Sequence, residues 1–243
     1  MKIIELNCIT FSYRAISALS GISADFEKGD AYALIGPNGS GKSTLLKLLN
    51  GILFPEKGEY FFDGQQIHAE KLKKKEFAGI FHQRIGFLLQ NSDTQLFCSN
   101  VYEEIAFGPR QIGLQDSEIE KRVDDCLNLL EIRKLKHREP YHLSEGEKKK
   151  VALASVLAMN PEVLTLDEPM NGLDPKTKRF LRELLIELRK AGKTILCSTH
   201  DFAYVEGVFE RALVFSEDHA VIRDGRFEEI VEDKEFLHYH NII

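Results

Sequence analysis

Eight residues near the N-terminus have types and spacing suited to binding phosphate. The stretch GPNGSGKS matches the pattern G-x-x-x-x-G-K-[ST], and it lies between an apolar strand, AYALIG, and an apolar helix, TLLKLLNG. Glycines let consecutive backbone N–H groups converge on phosphate oxygens, and the helix N-terminus adds partial positive charge. The alternative is a glycine turn that merely starts a helix, and the complete motif in this context favours a phosphate site. The predicted binding residues are Gly36, Pro37, Asn38, Gly39, Ser40, Gly41, Lys42, Ser43 and Thr44.

Five polar side chains predict what happens to the bound phosphate. Lys42 would reach the β and γ phosphates of a nucleotide, and Ser43 would ligate Mg²⁺. Asp167 and Glu168 end the apolar run VLTLDE, where Asp167 is placed to hold magnesium and Glu168 to polarise the attacking water. His200 ends the next apolar run, KTILCSTH, and is expected to contact the γ-phosphate. Carboxylates at strand ends often serve as caps and a lone histidine is usually structural, but the phosphate loop in the same chain favours catalysis.

The stretch LSEGEKKKVALA has the features of a helix start. Ser144 is a predicted N-cap, and Glu147 three residues later completes a capping box. The simpler interpretation is a well-capped core helix. A capped start with Gly146 also leaves backbone N–H groups available to an anion, so this segment is a second candidate phosphate contact.

The segments that position these residues predict an α/β fold. VLTLDE and KTILCSTH are short apolar strands of the kind buried in a parallel sheet. The helix between them should begin after Asp174, with Pro175 at its first position, and end before Gly192. Residues 91–160 are rich in helical, polar segments, which indicates a helical insertion.

Composition restricts the classes of partner. The chain has 243 residues, of which 43% are hydrophobic and 29% charged, as in an ordinary globular protein. A net charge of −6 argues against a broad nucleic-acid surface, so no nucleic acid partner is predicted. Four widely spaced cysteines without a CxxC pair predict free thiols in a reducing compartment. No apolar run is long enough to span a bilayer, so we expect a soluble chain whose membrane part, if any, belongs to another chain.

The order of the motifs is specific: GPNGSGKS, then Gln90, LSEGEKKK, VLTLDEP, NGLD and His200. Over nearly its whole length the chain resembles an ATP-binding cassette (ABC) subunit of an ABC transporter. The resemblance implies an α/β fold: a P-loop NTPase core with a parallel-rich sheet, an N-terminal antiparallel β part and an inserted helical subdomain. It also implies one domain, 1–243, divided into the nucleotide-binding core (1–90 and 161–225), the helical subdomain (91–160) and a C-terminal tail (226–243).

Further site residues come from this resemblance alone. Tyr13 matches the aromatic residue that stacks on adenine, and Gln90 matches the glutamine that reaches magnesium. Asp174, in NGLD, matches a loop that crosses the dimer interface. The family's signature, usually Leu-Ser-Gly-Gly-Gln, closes over the nucleotide held by a partner subunit. Its counterpart here is the LSEGE stretch, with Ser144, Glu145, Gly146 and Glu147.

The two glutamates depart from the family's signature. Glu145 and Glu147 put acidic groups near a polyphosphate, where like charge is expected to weaken closure. The predicted metal ligands are Ser43, Gln90 and Asp167, and the predicted cofactors are ATP and Mg²⁺.

One segment indicates the kind of transporter. NSDTQLFCSNVYEEIAFGP, residues 91–109, resembles the corresponding segment of energy-coupling-factor ATPases, whose transporters take up cobalt, nickel or B vitamins. Leu96, Phe97, Ile105 and Phe107 would form an apolar patch that receives a helix of the membrane-embedded partner. The alternative is that they only pack the helical insertion.

The resemblance therefore implies an ATP-hydrolysing motor subunit, bound peripherally to the cytoplasmic face of the cell membrane. Its partners would be integral membrane subunits and a second ATPase subunit, either identical or paralogous. The alternatives are a non-transport ABC ATPase acting in DNA repair or translation, and a nucleotide-binding cassette with weak hydrolysis. The resemblance to energy-coupling-factor ATPases favours import over export.

Overall fold

The computed structural model describes all residues, 1–243, and the predicted apolar runs form its central strands. The strands are β1 (Lys2–Tyr13), β2 (Ile16–Glu27), β3 (Ala31–Ile35), β4 (Lys57–Phe62), β5 (Gln65–Gln66), β6 (Ile85–Leu88), β7 (Val163–Asp167), β8 (Thr194–Ser198), β9 (Arg211–Phe215) and β10 (Val221–Arg226). Six of them form one sheet in the order β10-β9-β3-β8-β7-β6, in which all pairs except β10-β9 are parallel.

The other four strands form an antiparallel sheet in the order β2-β1-β4-β5. The predicted fold class is therefore confirmed, with a parallel-rich sheet and an N-terminal antiparallel part. The long strand β2, with the sequence ISALSGISADFE, was not predicted individually. Its paired strand, β1, contains several register shifts, which are typical of bulged, twisted strands.

Helices cover the remaining surfaces. They are α1 (Lys42–Leu49), α2 (Ala69–Leu72), α3 (Lys75–Arg84), α4 (Val101–Gln111), α5 (Asp116–Leu129), α6 (Glu145–Leu157), α7 (Pro175–Lys190), α8 (Phe227–Glu232) and α9 (Lys234–Tyr239), with 3₁₀ turns at Ser92–Thr94, Arg133–Leu135, Pro140–His142 and Phe202–Tyr204. Residues 91–160 contain helices and turns but no strand. The exact division into core, helical subdomain and tail stays a prediction. None of the helices combines the length and the apolar composition that crossing a membrane requires.

Two apolar clusters cover the two faces of the six-stranded sheet. Side chains alternate along β3, so Ala33 and Ile35 join a cluster that extends into α4, α5, α6 and α7. Tyr32 and Leu34 point to the other cluster, which includes α1 and the inner face of the antiparallel sheet. Burial on both faces explains why the parallel strands read as continuous apolar runs.

The predicted apolar patch on the helical insertion is smaller than expected. Phe97 and Phe107 are 68% and 42% exposed and meet edge to face, with ring centroids 4.9 Å apart. Leu96 is half-buried against the core, and Ile105 is fully buried within it. Ile105 lies four residues after Val101 on the inward face of α4, so its inclusion in the patch was wrong.

Candidate active site

The phosphate loop connects β3 to α1, and its glycines are required by close backbone contacts. Gly41, at the N-cap of α1, has a φ of 105°, and a Cβ atom there would lie 2.3 Å from the carbonyl oxygen of Ala18. A Cβ atom on Gly36 would lie 2.6 Å from the carbonyl oxygen of Phe215. Only glycine fits at these points, so the loop keeps its backbone close to the neighbouring strands and its N–H groups at the start of α1.

Lys42 folds back into the phosphate loop. Its Nζ atom donates hydrogen bonds to the carbonyl oxygens of Gly36 (2.7 Å) and Pro37 (2.9 Å), and it lies 3.4 Å from Ser40 Oγ. The side chain is buried, and desolvation lowers the pKa of its ammonium group while Glu168 and Asp167 act in the opposite direction. The loop thus holds a positive charge at its centre, hydrogen-bonded to loop oxygens and attracted by the two nearby carboxylates.

Asp167, the last residue of β7, accepts hydrogen bonds from two hydroxyl groups. Ser43 Oγ donates from the start of α1 (2.9 Å), and Ser198 Oγ donates from the end of β8 (2.6 Å), both to Asp167 Oδ1. The carboxylate is 4% exposed. Hydroxyl and carboxylate oxygens suit Mg²⁺, so the predicted ligands Ser43 and Asp167 fit the ion chemically.

Glu168 and His200 are brought together at the ends of neighbouring strands. His200 Nδ1 lies 2.9 Å from Glu168 Oε2, and the Glu168 side chain is 12% exposed whereas that of His200 is 56% exposed. Glu168 has a φ of 46°, an unusual value for a residue with a side chain. Its N–H group donates to Ser198 Oγ (2.9 Å), which helps to fix this conformation. Such backbone conformations cost about 1–3 kcal/mol and are concentrated at functional sites.

Ser198 was missed by the sequence analysis. Ser198 connects Asp167 to Glu168, because its hydroxyl group donates a hydrogen bond to the Asp167 carboxylate and accepts one from the Glu168 N–H group. The available signal was its position: a hydroxyl residue at the end of a buried apolar strand, two residues before His200.

Gln90 and Tyr13 lie at the margins of this site. Gln90 follows β6, is exposed, and makes no side-chain hydrogen bond within the chain. Tyr13 ends β1, is 43% exposed and packs edge to face on Phe11. The phosphate loop, Gln90 and the Asp167 cluster all follow the carboxyl ends of parallel strands, where open α/β sheets bind ligands.

The LSEGE stretch forms the predicted capping box at the start of α6. Ser144 Oγ accepts from Glu147 N–H, and Glu147 Oε2 accepts from both the N–H and the hydroxyl group of Ser144 (3.0 Å each). These bonds lower the pKa of Glu147. Glu145 pairs with Lys148 (3.1 Å), which also reaches Asp93 (2.7 Å). Both acidic departures from the family signature therefore have partners within the chain.

The N-termini of α6 and α7 border an open groove of about 740 Å³. A Cβ atom on Gly146 would lie 3.3 Å from Thr177 Oγ1, so the two helix starts are in close contact. Asp174 caps α7 as predicted, accepting from the N–H groups of Lys176 and Thr177 and from the Thr177 hydroxyl group (2.6 Å). The groove is lined by 17 residues that lie between Glu131 and Glu183 in the sequence, and none of them belongs to the phosphate loop.

The chain has no cluster of three or more His, Cys, Asp or Glu side chains that could hold a metal ion. The side-chain oxygens that the structure brings together beside Asp167 are the hydroxyl groups of Ser43 and Ser198. All four cysteines are free thiols, as predicted.

Comparison with known proteins identifies relatives along the whole chain. An ABC transporter ATP-binding protein of Clostridium acetobutylicum is 61% identical over 240 residues, covering 99% of this chain and 100% of that protein. The nickel import ATP-binding protein LarO of Lactiplantibacillus plantarum is 47% identical, with 91% and 92% covered. The energy-coupling factor transporter ATP-binding protein EcfA of Methanothermobacter thermautotrophicus is 42% identical, with 96% and 74% covered.

A solved structure and a family model agree with these relatives. The structure is that of cbiO1 from Clostridium perfringens, part of the ABC transporter complex cbiONQ. It superposes with a TM-score of 0.84 at 36% identity, covering 99% of this chain and 94% of that one. The ABC transporter family model matches residues 19–171. The chain belongs to the ABC transporter family, as an ATP-hydrolysing, ATP-binding subunit.

Proposed function

We propose that this chain is the ATP-hydrolysing motor subunit of an energy-coupling-factor type transporter that imports cobalt, nickel or a vitamin. The subunit would bind peripherally to the cytoplasmic face of the cell membrane. The constellation at the ends of β7 and β8 carries the proposal. There one carboxylate takes two hydroxyl hydrogen bonds, and a second carboxylate faces a histidine at 2.9 Å. Phosphoryl transfer to water needs this combination of positioning and charge.

The phosphate loop is assigned to the phosphates of ATP. The Lys42 ammonium group donates hydrogen bonds to two backbone carbonyl oxygens and one hydroxyl oxygen, all of them uncharged. It can exchange these acceptors for the charged β and γ phosphate oxygens, which bind an ammonium group more strongly. Ser43, Asp167 and Gln90 would hold Mg²⁺, which supplies charge stabilisation on the phosphates when bound. The ring of Tyr13, exposed at the end of β1, is assigned to the adenine base.

Glu168 is assigned as the residue that orients and polarises the attacking water. His200 is assigned as the residue that contacts the γ-phosphate. The hydrogen bond from the Glu168 N–H group to Ser198 Oγ holds the Glu168 side chain beside Asp167, which is assigned to Mg²⁺. His200 is positioned by its contact with Glu168 Oε2 and remains exposed, so it is free to meet the ligand. Catalysis then combines Glu168 as general base toward the attacking water with fixed geometry and electrostatic stabilisation, without a covalent intermediate.

The LSEGE stretch is assigned to a nucleotide bound by a second subunit. ABC ATPases work as dimers with membrane subunits. In this chain the groove beside Ser144 contains no phosphate-loop residue, and the start of α6 presents N–H groups to solvent. A second ATPase subunit, identical or paralogous, would bring its phosphate loop to this groove, with Asp174 at the dimer interface.

The membrane partner is assigned to the exposed aromatic pair on the helical insertion. Phe97 and Phe107 are large, exposed apolar side chains, and such a surface suits the apolar face of an amphipathic helix. The choice of solute is supported by the similarity to a nickel import protein and to energy-coupling-factor ATPases.

The proposal is tested by the Glu168→Gln variant, measured by light scattering with and without Mg·ATP. We expect a shift from monomer to dimer, because the variant binds ATP but does not hydrolyse it. Failure of the variant to dimerise with itself or with a co-purified second ATPase subunit would contradict the motor assignment. Uptake of radioactive nickel, cobalt and B vitamins by cells carrying wild-type or Glu168→Gln protein identifies the solute.

A further inference from the structure

Lys149, in the second turn of α6, is a buried lysine without a role in the mechanism above. It is only 3% exposed, and its Nζ atom donates hydrogen bonds to the carbonyl oxygens of Leu89 (3.2 Å) and Gln90 (2.7 Å). Burial lowers the pKa of its ammonium group. A lysine this deeply buried needs both acceptors, since an unpaired buried charge is strongly unfavourable. Lys149 thus fastens α6 to the segment that carries Gln90.

Gln95 holds the same segment through different backbone groups. Its Oε1 atom accepts from the Leu89 N–H group (3.0 Å), and its Nε2 atom donates to the Phe87 carbonyl oxygen (3.2 Å). β6 is the edge strand of the parallel sheet, so its outer backbone groups have no neighbouring strand. The Gln95 amide takes the place of a partner strand there, and it belongs to the helical insertion rather than to the sheet.

Four hydrogen bonds from two side chains therefore hold the end of β6 and residues 89–90. We propose that Lys149 and Gln95 are positioning residues that couple Gln90 to Ser144, so that the glutamine segment and the start of α6 move as one unit. The proposal rests on the function assigned above. Gln90 serves the nucleotide of its own subunit and Ser144 serves that of the partner, so Lys149 would link the two nucleotide sites of a dimer.

The neighbouring lysine adds a weaker link on the surface. Lys148 pairs with Asp93, in the turn after Gln90, and with Glu145 in the LSEGE stretch. Exposed ion pairs of this kind are screened by salt and weaken readily. The buried contacts of Lys149 are not screened in this way, so the coupling is assigned to Lys149 and Gln95.

The test uses three substitutions. Lys149→Met keeps the length and the apolar stem but removes both hydrogen bonds, whereas Lys149→Arg restores donors at the same position. Lys193→Met is the matched control, because Lys193 also donates two hydrogen bonds, to Asn160 Oδ1 (2.6 Å) and the Pro161 carbonyl oxygen (2.7 Å), outside the glutamine segment.

The first measurement is hydrogen exchange of peptides covering residues 86–96 in the nucleotide-free protein. We expect exchange to become about tenfold faster in Lys149→Met, the size of a typical coupling, and to stay at the wild-type rate in the other two variants. Unchanged exchange in a folded Lys149→Met protein would overturn the tether. If Lys149→Met does not fold, Gln95→Leu applies the same test to the other side chain.

The second measurement is Mg·ATP-driven dimerisation in the Glu168→Gln background. Lys149→Met should weaken it about tenfold, with Lys149→Arg restoring it and with ATP affinity in the absence of Mg²⁺ unchanged. Faster exchange combined with unchanged dimerisation would overturn the coupling. If the Glu168→Gln parent dimerises neither with itself nor with a co-purified second ATPase subunit, the assigned function fails, and the exchange measurement alone decides the tether.

Discussion

The ends of β7 and β8 and the start of α6 organise their polar groups by opposite means. At the strand ends, polar side chains converge on two largely buried carboxylates: Ser43 and Ser198 bind one oxygen of Asp167, and the exposed His200 contacts Glu168. At the start of α6, the polar groups pair nearer to solvent: Lys148 with Asp93 and Glu145, and Glu147 with Ser144. The first region is fixed by the sheet, whereas the second can be altered without disturbing the core.

The comparison predicts large functional losses at the strand ends and moderate, tunable effects at α6.

Glu168→Gln should lower ATP turnover by at least about 100-fold, the contribution of a general base, while leaving the fold intact. The amide cannot take a proton from water, but it preserves the shape of the side chain. Phosphate release measures the effect, and Glu187→Gln on the exposed face of α7 is the control. Turnover close to that of the wild type would remove Glu168 from the general-base role.

Lys42→Ala should weaken ATP binding about 100-fold, because it removes a buried positive charge facing the phosphates. Calorimetric titration measures the affinity. The exposed Lys190→Ala, at the end of α7, should bind ATP as the wild type does. An unchanged affinity in Lys42→Ala would contradict the phosphate-loop assignment.

Glu147→Gln should strengthen Mg·ATP-driven dimerisation about fivefold in the Glu168→Gln background, since one unit charge near a polyphosphate is worth about 1 kcal/mol in water. Glutamine keeps the capping box, so the helix start is preserved. The gain should shrink at high salt, and Glu228→Gln in α8 should show none. Equal dimerisation of Glu147→Gln and its parent at low salt would show that the acidic signature does not weaken closure.

Asp174 gives a small effect that depends on pH. Hydrogen bonds from Thr177 and Lys176 lower the pKa of Asp174, so its capping stabilisation is fully present above the ordinary aspartate pKa of about 4 and is lost as the pH falls through the lowered value. Asp174→Asn caps α7 without titrating. The stability advantage of the wild type, measured by urea unfolding, should therefore shrink as the pH falls below about 4. A constant difference would contradict the assignment.

Much of the site could be predicted because its residues are adjacent in sequence or sit in local patterns. The phosphate loop, the capping box of Ser144 and the cap at Asp174 each depend on a few neighbouring residues, and the structure places each where the pattern predicted. Their roles toward ATP stay predictions. Ile105 was misassigned because an apolar residue in a helix reads the same whether it faces the core or solvent.

The sequence by itself determined the strands β3, β7 and β8, the start of α6, both ends of α7 and the polar residues that end β7 and β8, because those features follow from local periodicity and turn chemistry. Only the tertiary structure decided that Ser198 joins Asp167 to Glu168 and that Lys149 holds the Gln90 segment. The Ser198 contacts cross between strands about 30 residues apart, and the Lys149 contact spans 59 residues. Contacts over such separations depend on how sheet and helices pack, which no short stretch of sequence encodes.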